Sequence, residues 1–252
     1  MSIADKLIKI AEKEQKVYDA GYQKGKSEGG DSDAAYEEGY TEGYAQGKAE
    51  DLFQHATYYN GLFRGSKFPP NFDLIAKMNL ADAWSTDMSM MFYNATNLKS
   101  IKLIDESGFN GASSVSSAFR GIASLKTVDL TEFIRKFSRV DWLCLGSSNL
   151  KSIYGALDFS ECTTATLWIN GADALEDIEF VPNTIKISID FYWCAKLTKA
   201  SLTSIINGLS ADTSGLTVTL SKTAVNNAFG GTDSAEWLEL VAIKPNWTIS
   251  LI

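Results

Sequence analysis

The sequence predicts an α+β repeat fold: a solenoid of short strands with an N-terminal helical leader and a mixed α/β C-terminal cap. The first observation is a self-similar apolar pattern that begins at Met88 and has a step of 22 to 27 residues. The second is a run of glycines and tyrosines at four-residue steps near the N-terminus. The third is a change after residue 202 to helical and then alternating apolar spacing. These observations divide the chain into a leader at 1–51, an N-terminal cap at 52–87, repeats at 88–202 and a C-terminal cap at 203–252.

The composition is that of a globular protein without a nucleic-acid partner. The 252 residues are 45% apolar, which is enough to bury one repeat domain with a short appendage. The net charge is −8 and no block is rich in Lys or Arg, whereas phosphate binding needs clustered positive charge. The first 15 residues mix charged and apolar side chains without an uninterrupted apolar run. We therefore expect neither a signal peptide nor membrane insertion.

The leader carries a stripe of small residues. On a helix, groups at a four-residue step share one face, although each interior glycine costs about 1 kcal/mol relative to alanine. One interpretation is close packing against another helix, which implies a possible homo-oligomer; the other is a flexible, weakly helical linker. The candidate oligomerisation residues are Gly21, Gly25, Tyr36, Gly39, Tyr40, Gly43, Tyr44 and Gly47.

Residues 52–87 lack the repeat register and are predicted to cap the repeats, with a turn at Lys67-Phe68-Pro69-Pro70.

Each repeat is defined by one leucine. The five anchors are Leu98, Leu125, Leu150, Leu175 and Leu197. Positions −6, −3, +3 and +5 from each anchor are mostly apolar, which predicts short strands with the +3 and +5 side chains inward. The third unit is irregular, because Ser147 and Gly155 occupy apolar positions.

The C-terminal cap has a mixed pattern. Leu202, Ile205, Ile206 and Leu209 have helical spacing, and residues 216–220 then alternate. A helix-like stretch at 236–243 precedes a second alternating segment at 247–251. We expect two strands joined by a crossover helix.

Residues 92–103 and 119–130 resemble the BspA-like class of leucine-rich repeats, whose units read roughly Phe-x-x-Cys-x-x-Leu-x-x-Ile-x-Leu. The unit that begins at Phe191 keeps the cysteine, as Cys194. The resemblance covers about residues 88–202. It implies a leucine-rich-repeat solenoid, a scaffold for binding rather than catalysis.

Three segments resemble tail-region proteins of phages and prophages of Gram-positive gut bacteria. They are the opening 22 residues, the stretch Ser-Leu-Thr-Ser-Ile-Ile-Asn-Gly-Leu at 201–209, and the closing Lys244-x-x-Trp247-Thr-Ile. The resemblance implies a virion protein of the phage tail, made in the bacterial cytoplasm without a signal peptide. It also implies that the leader contacts other tail proteins.

The sequence offers little for catalysis or cofactor binding. The one histidine, His55, has no cysteine or carboxylate at a metal-ligand spacing. The three cysteines are odd in number and form no Cys-x-x-Cys motif, so we interpret them as small core residues. No phosphate loop, dinucleotide fingerprint or Gly-x-Ser-x-Gly elbow occurs. We expect no metal, no cofactor and no enzymatic activity.

One acidic cluster could do glycosidase chemistry, which needs two carboxylates. Its members are Asp173, Glu176, Asp177 and Glu179. They alternate around Leu175 and Ile178, which favours a solvated face instead.

Recognition is the better-supported function. The residues between the +3 and +5 positions should point outward, and flat aromatic rings outside the inward registers should stack on sugars or dominate protein contacts. Partial burial against a loop is the alternative for each ring. Trp142 is predicted to be core, and Tyr93 and Ser201 are further outward positions. The ligand-binding candidates are Lys102, Asp129, Tyr154, Glu179, Trp168, Tyr192 and Trp193.

The leading hypothesis is a tail-associated virion protein that binds a host-surface glycan or protein. One alternative is a purely structural virion decoration or assembly protein, which contacts only other phage proteins. The other is a polysaccharide-degrading tail enzyme. The repeats predict a binding surface. The partner of that surface is inferred mainly from the resemblance of the leader to tail-region proteins.

Overall fold

The computed structural model describes residues 59–78, 80, 87–105, 107, 111–133, 136–163, 166–169 and 171–252. The strands are β1 (Lys67–Met78), β2 (Thr96–Asp105), β3 (Ser113–Ser114), β4 (Thr127–Glu132), β5 (Phe137–Arg139), β6 (Ser152–Tyr154), β7 (Thr166–Trp168), β8 (Ser188–Phe191), β9 (Leu216–Leu220) and β10 (Trp247–Leu251). The helices are α1 (Lys199–Gly208), α2 (Lys222–Phe229) and α3 (Ala235–Ala242). His55 and the oligomerisation candidates from Gly21 to Gly47 lie outside the described residues.

The strands form three separate sheets with parallel pairing. One four-stranded sheet has the order β1-β2-β4-β6, a second has the order β10-β9-β8-β7, and β3 pairs with β5. Alternating burial shows why these segments are strands: in the second half of β1, Phe72, Leu74 and Ala76 are buried between exposed neighbours. The buried side chains join into one apolar core that extends from Tyr59 to Trp247.

The predicted fold class is wrong. The described residues form a mixed α/β fold of mostly parallel sheets with three helices, and the sheets do not follow one repeated unit. The fourth unit makes only isolated bridges at Asp177 and Phe180 instead of a strand of the first sheet. In the fifth unit, the +3 and +5 positions lie in α1. That helix begins there because the Thr198 side chain accepts a hydrogen bond from the Ser201 N–H, a local cap that overrides the repeat register.

The anchor leucines are nevertheless all buried, and aromatic rings pack in line beside them. Phe92 stacks against Phe63 at 5.6 Å and against Phe119 at 6.0 Å between ring centroids. Ser147, the polar exception among the −3 positions, is also buried. Its hydroxyl accepts a hydrogen bond from the Ile122 N–H (3.1 Å) and donates one to the Phe119 carbonyl (2.6 Å), so this buried polar group is satisfied.

The turn predicted at Lys67-Phe68-Pro69-Pro70 is part of β1 instead. Proline has no N–H to donate and is tolerated in edge strands. β1 is such a strand, since it pairs only with β2 in its sheet. The pairing register shifts between Lys67 and Asp73, beside the prolines.

The C-terminal segment places β10 beside β9 in parallel. Two helices, rather than the one expected, make the crossover. α3 corresponds to the predicted stretch at 236–243, whereas the prediction missed α2. The α2 helix is short and ends at Gly230, whose left-handed φ of 78° stops the helix after Phe229.

Candidate functional site

Three of the predicted binding residues lie side by side on the first sheet. Lys102 of β2 pairs in register with Asp129 of β4, and Asp129 pairs with Tyr154 of β6. Residues at equivalent positions of neighbouring strands point to the same face. The structure therefore brings these three side chains onto one face of the sheet.

Two of the three are already engaged within the protein. The Lys102 ammonium lies 3.9 Å from Asp129 and forms a closer ion pair with Glu132. The hydrogen bond from Lys102 to Glu132 raises the pKa of Lys102; desolvation opposes this, and the negative charges of Glu132 and Asp129 add to it. The Asp129 carboxylate accepts hydrogen bonds from the N–H (2.9 Å) and hydroxyl (2.6 Å) of Thr131. Both charges are partly compensated before any ligand arrives.

Tyr154, unlike Lys102 and Asp129, lies directly before a bulge in the chain. The Ile153 N–H donates to the Asp177 carbonyl and the Leu157 N–H donates to the Glu179 carbonyl, both at 2.9 Å. Two extra residues therefore loop out between these bonds. Leu157 takes the buried position that the register assigned to Gly155, and Tyr154 is left 48% exposed.

Gly155 is required for this bulge. Its φ is +96°, and a Cβ at this position would lie 2.8 Å from the Leu130 carbonyl carbon. Other residue types rarely adopt such a φ, and this approach leaves no space for a side chain. The missing leucine of the third unit thus reflects a tight contact with the end of β4.

The bulge opens a cleft of about 380 Å³ between the first sheet and α1. Tyr154, Gly155, Asp177 and Glu179 line one side, and Ala200 and Ser204 line the helix side. The Ser204 hydroxyl accepts a hydrogen bond from the Phe180 N–H (2.9 Å). The helix thus supplies a hydrogen-bond acceptor to the strand-like segment, in place of the neighbouring strand that would otherwise supply one.

Ser201 is not the outward residue that the register predicted. It is only 3% exposed. Its hydroxyl accepts from the Ile178 N–H and donates to the Glu176 carbonyl, both at 3.0 Å. Ser201 therefore attaches α1 to the preceding segment.

The acidic cluster divides into engaged and open carboxylates. Asp177 accepts hydrogen bonds from the Ser152 hydroxyl (3.1 Å) and the Thr198 hydroxyl (3.4 Å). Glu176 lies 3.7 Å from the Lys151 ammonium. Asp173 and Glu179 are exposed, and Glu179 lines the cleft. The cleft thus combines an exposed phenol ring with carboxylates that can accept hydrogen bonds from hydroxyl groups.

The remaining aromatic candidates belong to the second sheet. Trp168 lies in β7, where its backbone pairs with Asp190 of β8. Tyr192 and Trp193 follow β8, with ring centroids 4.5 Å apart, and Trp193 is 52% exposed. These three residues therefore lie in or directly after strands of the second sheet, whereas Lys102, Asp129 and Tyr154 lie in strands of the first.

Trp142 is not a core residue, contrary to the prediction. It is 47% exposed, and the Arg120 guanidinium lies 5.2 Å from its ring centroid. Arg120 also lies 5.4 Å from the Tyr93 ring, and Arg64 lies 5.2 Å from the same ring. We call Arg64, Tyr93, Arg120 and Trp142 the arginine–aromatic row. A signal was present in the sequence: Arg64, Tyr93 and Arg120 each directly follow a phenylalanine of the ring stack.

A second missed pattern is Asp-x-Ser/Thr. In these motifs the aspartate accepts a hydrogen bond from the N–H two residues later, as at Asp87 (2.8 Å) and Asp158 (2.8 Å). Such turns let a short polar side chain replace a backbone partner. Asp105 (3.1 Å) and Asp129 (2.9 Å) repeat the arrangement. Each of these aspartates thus accepts a nearby backbone N–H through its own side chain.

Within the described ranges, no group of three or more His, Cys, Asp or Glu residues is arranged to hold a metal ion. The same residues include no helix long and apolar enough to cross a membrane. The three cysteines are buried as free thiols. Burial raises the pKa of Cys194 to about 12, so this thiol stays protonated and unreactive near neutral pH.

Comparisons with known proteins add no relative to this picture. No family model, curated protein or solved structure matches the chain.

Proposed function

We propose that this chain is a binding protein of a phage tail, and that the cleft beside Tyr154 binds a glycan of the host surface. The observation that carries the proposal is the exposed Tyr154 ring at the rim of a cleft of about 380 Å³. A half-exposed ring on a bulge buries little apolar area in the fold, so its exposure favours a role in contacts with a ligand.

The polar groups of the cleft suit a sugar. Carboxylates are acceptors only, and each can accept several hydrogen bonds from hydroxyl groups. Glu179 is exposed and Asp177 keeps part of its acceptor capacity beyond the bonds from Ser152 and Thr198. A flat ring that packs on the face of a sugar, with acceptors beside it for the hydroxyls, is a suitable arrangement. The tail location is supported by the resemblance of residues 1–22 and 201–209 to tail-region proteins.

The first test is glycan binding by the full-length protein. We expect Tyr154→Ala to weaken binding to purified host cell-wall polysaccharide by about tenfold or more, as truncation of a central aromatic contact typically does. Isothermal titration calorimetry measures the change. Leu238→Ala is the matched control, because Leu238 is 51% exposed on α3 and lies outside the cleft. Equal affinity for wild type and Tyr154→Ala would exclude the cleft as the glycan site.

A second measurement separates binding from catalysis and from a purely structural role. The wild-type protein, incubated with the same polysaccharide, is expected to release no reducing sugar. Release that disappears in Asp177→Asn would identify a polysaccharide-degrading enzyme instead. A protein that is present in purified virions but leaves polysaccharide unbound would favour the decoration or assembly role.

A further inference from the structure

The arginine–aromatic row is a stack of alternating cations and flat rings. The Tyr93 ring has the Arg64 guanidinium at 5.2 Å and the Arg120 guanidinium at 5.4 Å, and Arg120 also lies 5.2 Å from the Trp142 ring. A guanidinium over a ring is held by cation–π attraction, which leaves its N–H edge available. Arg64 also approaches the sulfur of Met90, at 3.9 Å.

The two arginines are not neutralised by the described carboxylates. The ion pairs among the described residues use other cations, namely Lys99, Lys102, Lys136, Arg139, Lys151 and Lys199. In a chain with a net charge of −8, two arginines held in place by rings stand out as a local site for anions. A guanidinium fork suits carboxylate, sulfate and phosphate oxygens in a bidentate geometry.

The backbone of Trp142 has an unusual conformation. Its φ is +52°, in the left-handed region that glycine adopts without strain. The equivalent positions of the neighbouring turns, Gly61, Met90 and Ser117, also have positive φ, so the turn itself demands this conformation. Backbone hydrogen bonds align these turns, as from Met90 to the Ser116 carbonyl (2.9 Å) and from Ser117 to the Asp141 carbonyl (2.8 Å).

Tryptophan is energetically unfavourable at this position of the turn. It bears the strain of a positive φ and remains 47% exposed, so the fold gains little from its large ring. Strained and exposed residues of this kind occur at functional sites, where another requirement selects them. Glycine or asparagine would satisfy the turn, so the turn itself does not require the Trp142 ring.

We infer that the arginine–aromatic row is a second binding site, for an acidic polysaccharide whose charged groups contact Arg64 and Arg120 and whose sugar rings pack on Tyr93 and Trp142. The alternation of cation and ring along the row matches a polymer in which acidic groups and flat sugar faces recur. The site shares no residue with the cleft beside Tyr154 and does not depend on the proposed function of that cleft.

The test is titration of the full-length protein with polygalacturonate, with dextran as a neutral sugar polymer and poly-glutamate as an anionic polymer without sugars. We expect binding to polygalacturonate that weakens as salt rises, and much weaker binding to the other two. Trp142→Asn and Arg120→Ala should each raise the Kd at least tenfold. Lys222→Ala, which removes one exposed positive charge from α2, should leave it unchanged.

Trp142→Asn also tests whether a loss of binding results from misfolding. Asparagine tolerates the left-handed conformation, so this variant should melt at the wild-type temperature or above while it loses binding. Equal binding of poly-glutamate would overturn the carbohydrate assignment, and equal binding of dextran would overturn the anionic one. Failure of polygalacturonate to bind at millimolar concentration, or a Kd that the two row variants do not change, would refute the site.

Discussion

Gly155 shows how a single residue shapes the candidate cleft. The chain turns out of the sheet after Tyr154 because Gly155 adopts a φ of +96° against the backbone of Leu130. In the repeat register, Gly155 occupies a position that is apolar in the other units. The pattern shows that an apolar side chain is missing there, but it does not show why. A close backbone approach depends on the neighbouring strand, which a linear pattern does not contain. The bulge after Tyr154 therefore could not be predicted from the sequence.

Substitution of Gly155 should be costly. We expect Gly155→Ala to lower the free energy of unfolding by about 2 kcal/mol or more, because the new methyl group would meet the Leu130 backbone and the positive φ would be strained. Urea unfolding measures the difference. Gly215→Ala is the matched control: its φ is +74°, but nothing lies within 4 Å of the position that its new methyl carbon would take. Equal losses in both variants would show that strain, rather than the close approach, explains Gly155.

Period-two alternation predicted an outward column, of which Lys102, Asp129 and Tyr154 are in register on neighbouring strands, whereas Ser201 is buried. It could not show that Lys102 forms an ion pair with Glu132. Proximity to Cys144 predicted a core position for Trp142, whereas a left-handed turn directs it elsewhere.

At the scale of elements, α1 determines where the first sheet stops. Its Ser201 and Ser204 hydroxyls accept the N–H groups of Ile178 and Phe180. A cap at Thr198 begins the helix where the repeat register predicted another strand. The helical spacing of Leu202, Ile205 and Ile206 was visible in the sequence, but the apolar positions fitted both patterns, and only the cap distinguishes them.

Removal of this cap should weaken α1 and the cleft wall. We expect Thr198→Ala to lower the free energy of unfolding by about 1 kcal/mol, since the N-cap hydroxyl bonds the Ser201 N–H. Chemical denaturation is the measurement. Ser221→Ala is the matched control, because Ser221 is the N-cap of α2 but makes no side-chain cap bond. A loss at Ser221 as large as that at Thr198 would argue against the cap as the cause.

At the scale of the whole molecule, one continuous core joins segments that the sequence suggested were separate regions. Tyr59 and Phe72, from the predicted N-terminal cap, belong to the same cluster as Trp237 and Trp247 near the C-terminus. The apolar register identified part of this core, since the anchor leucines are all buried. It did not predict three parallel sheets, because the division of strands among sheets depends on where helices and bulges interrupt pairing.

Acid should destabilise the molecule through Asp87, which joins three segments of the chain. Burial raises the pKa of Asp87, but hydrogen bonds from Ser89, Asn60 and Ser114 lower it below its ordinary value of 3.8. A carboxyl with a depressed folded pKa contributes stability that is present above 3.8 and is lost as pH falls through the folded pKa. We expect Asp87→Asn to flatten the fall in unfolding free energy below pH 4, as followed by urea titrations at several pH values. Asp212→Asn, which removes an exposed carboxylate, should keep the wild-type slope; a slope unchanged in Asp87→Asn would contradict the assignment.

The proline pair distinguishes β1, an edge strand of the first sheet, from β10, an edge strand of the second. Successive strand residues direct their N–H groups to opposite sides, so two consecutive prolines remove one donor from the open side of β1 as well as one from the paired side. β10, the outer strand of the other four-stranded sheet, contains no proline. Of these two edge strands, β10 therefore offers the better backbone template for pairing with another chain, and the prolines protect β1 from such pairing.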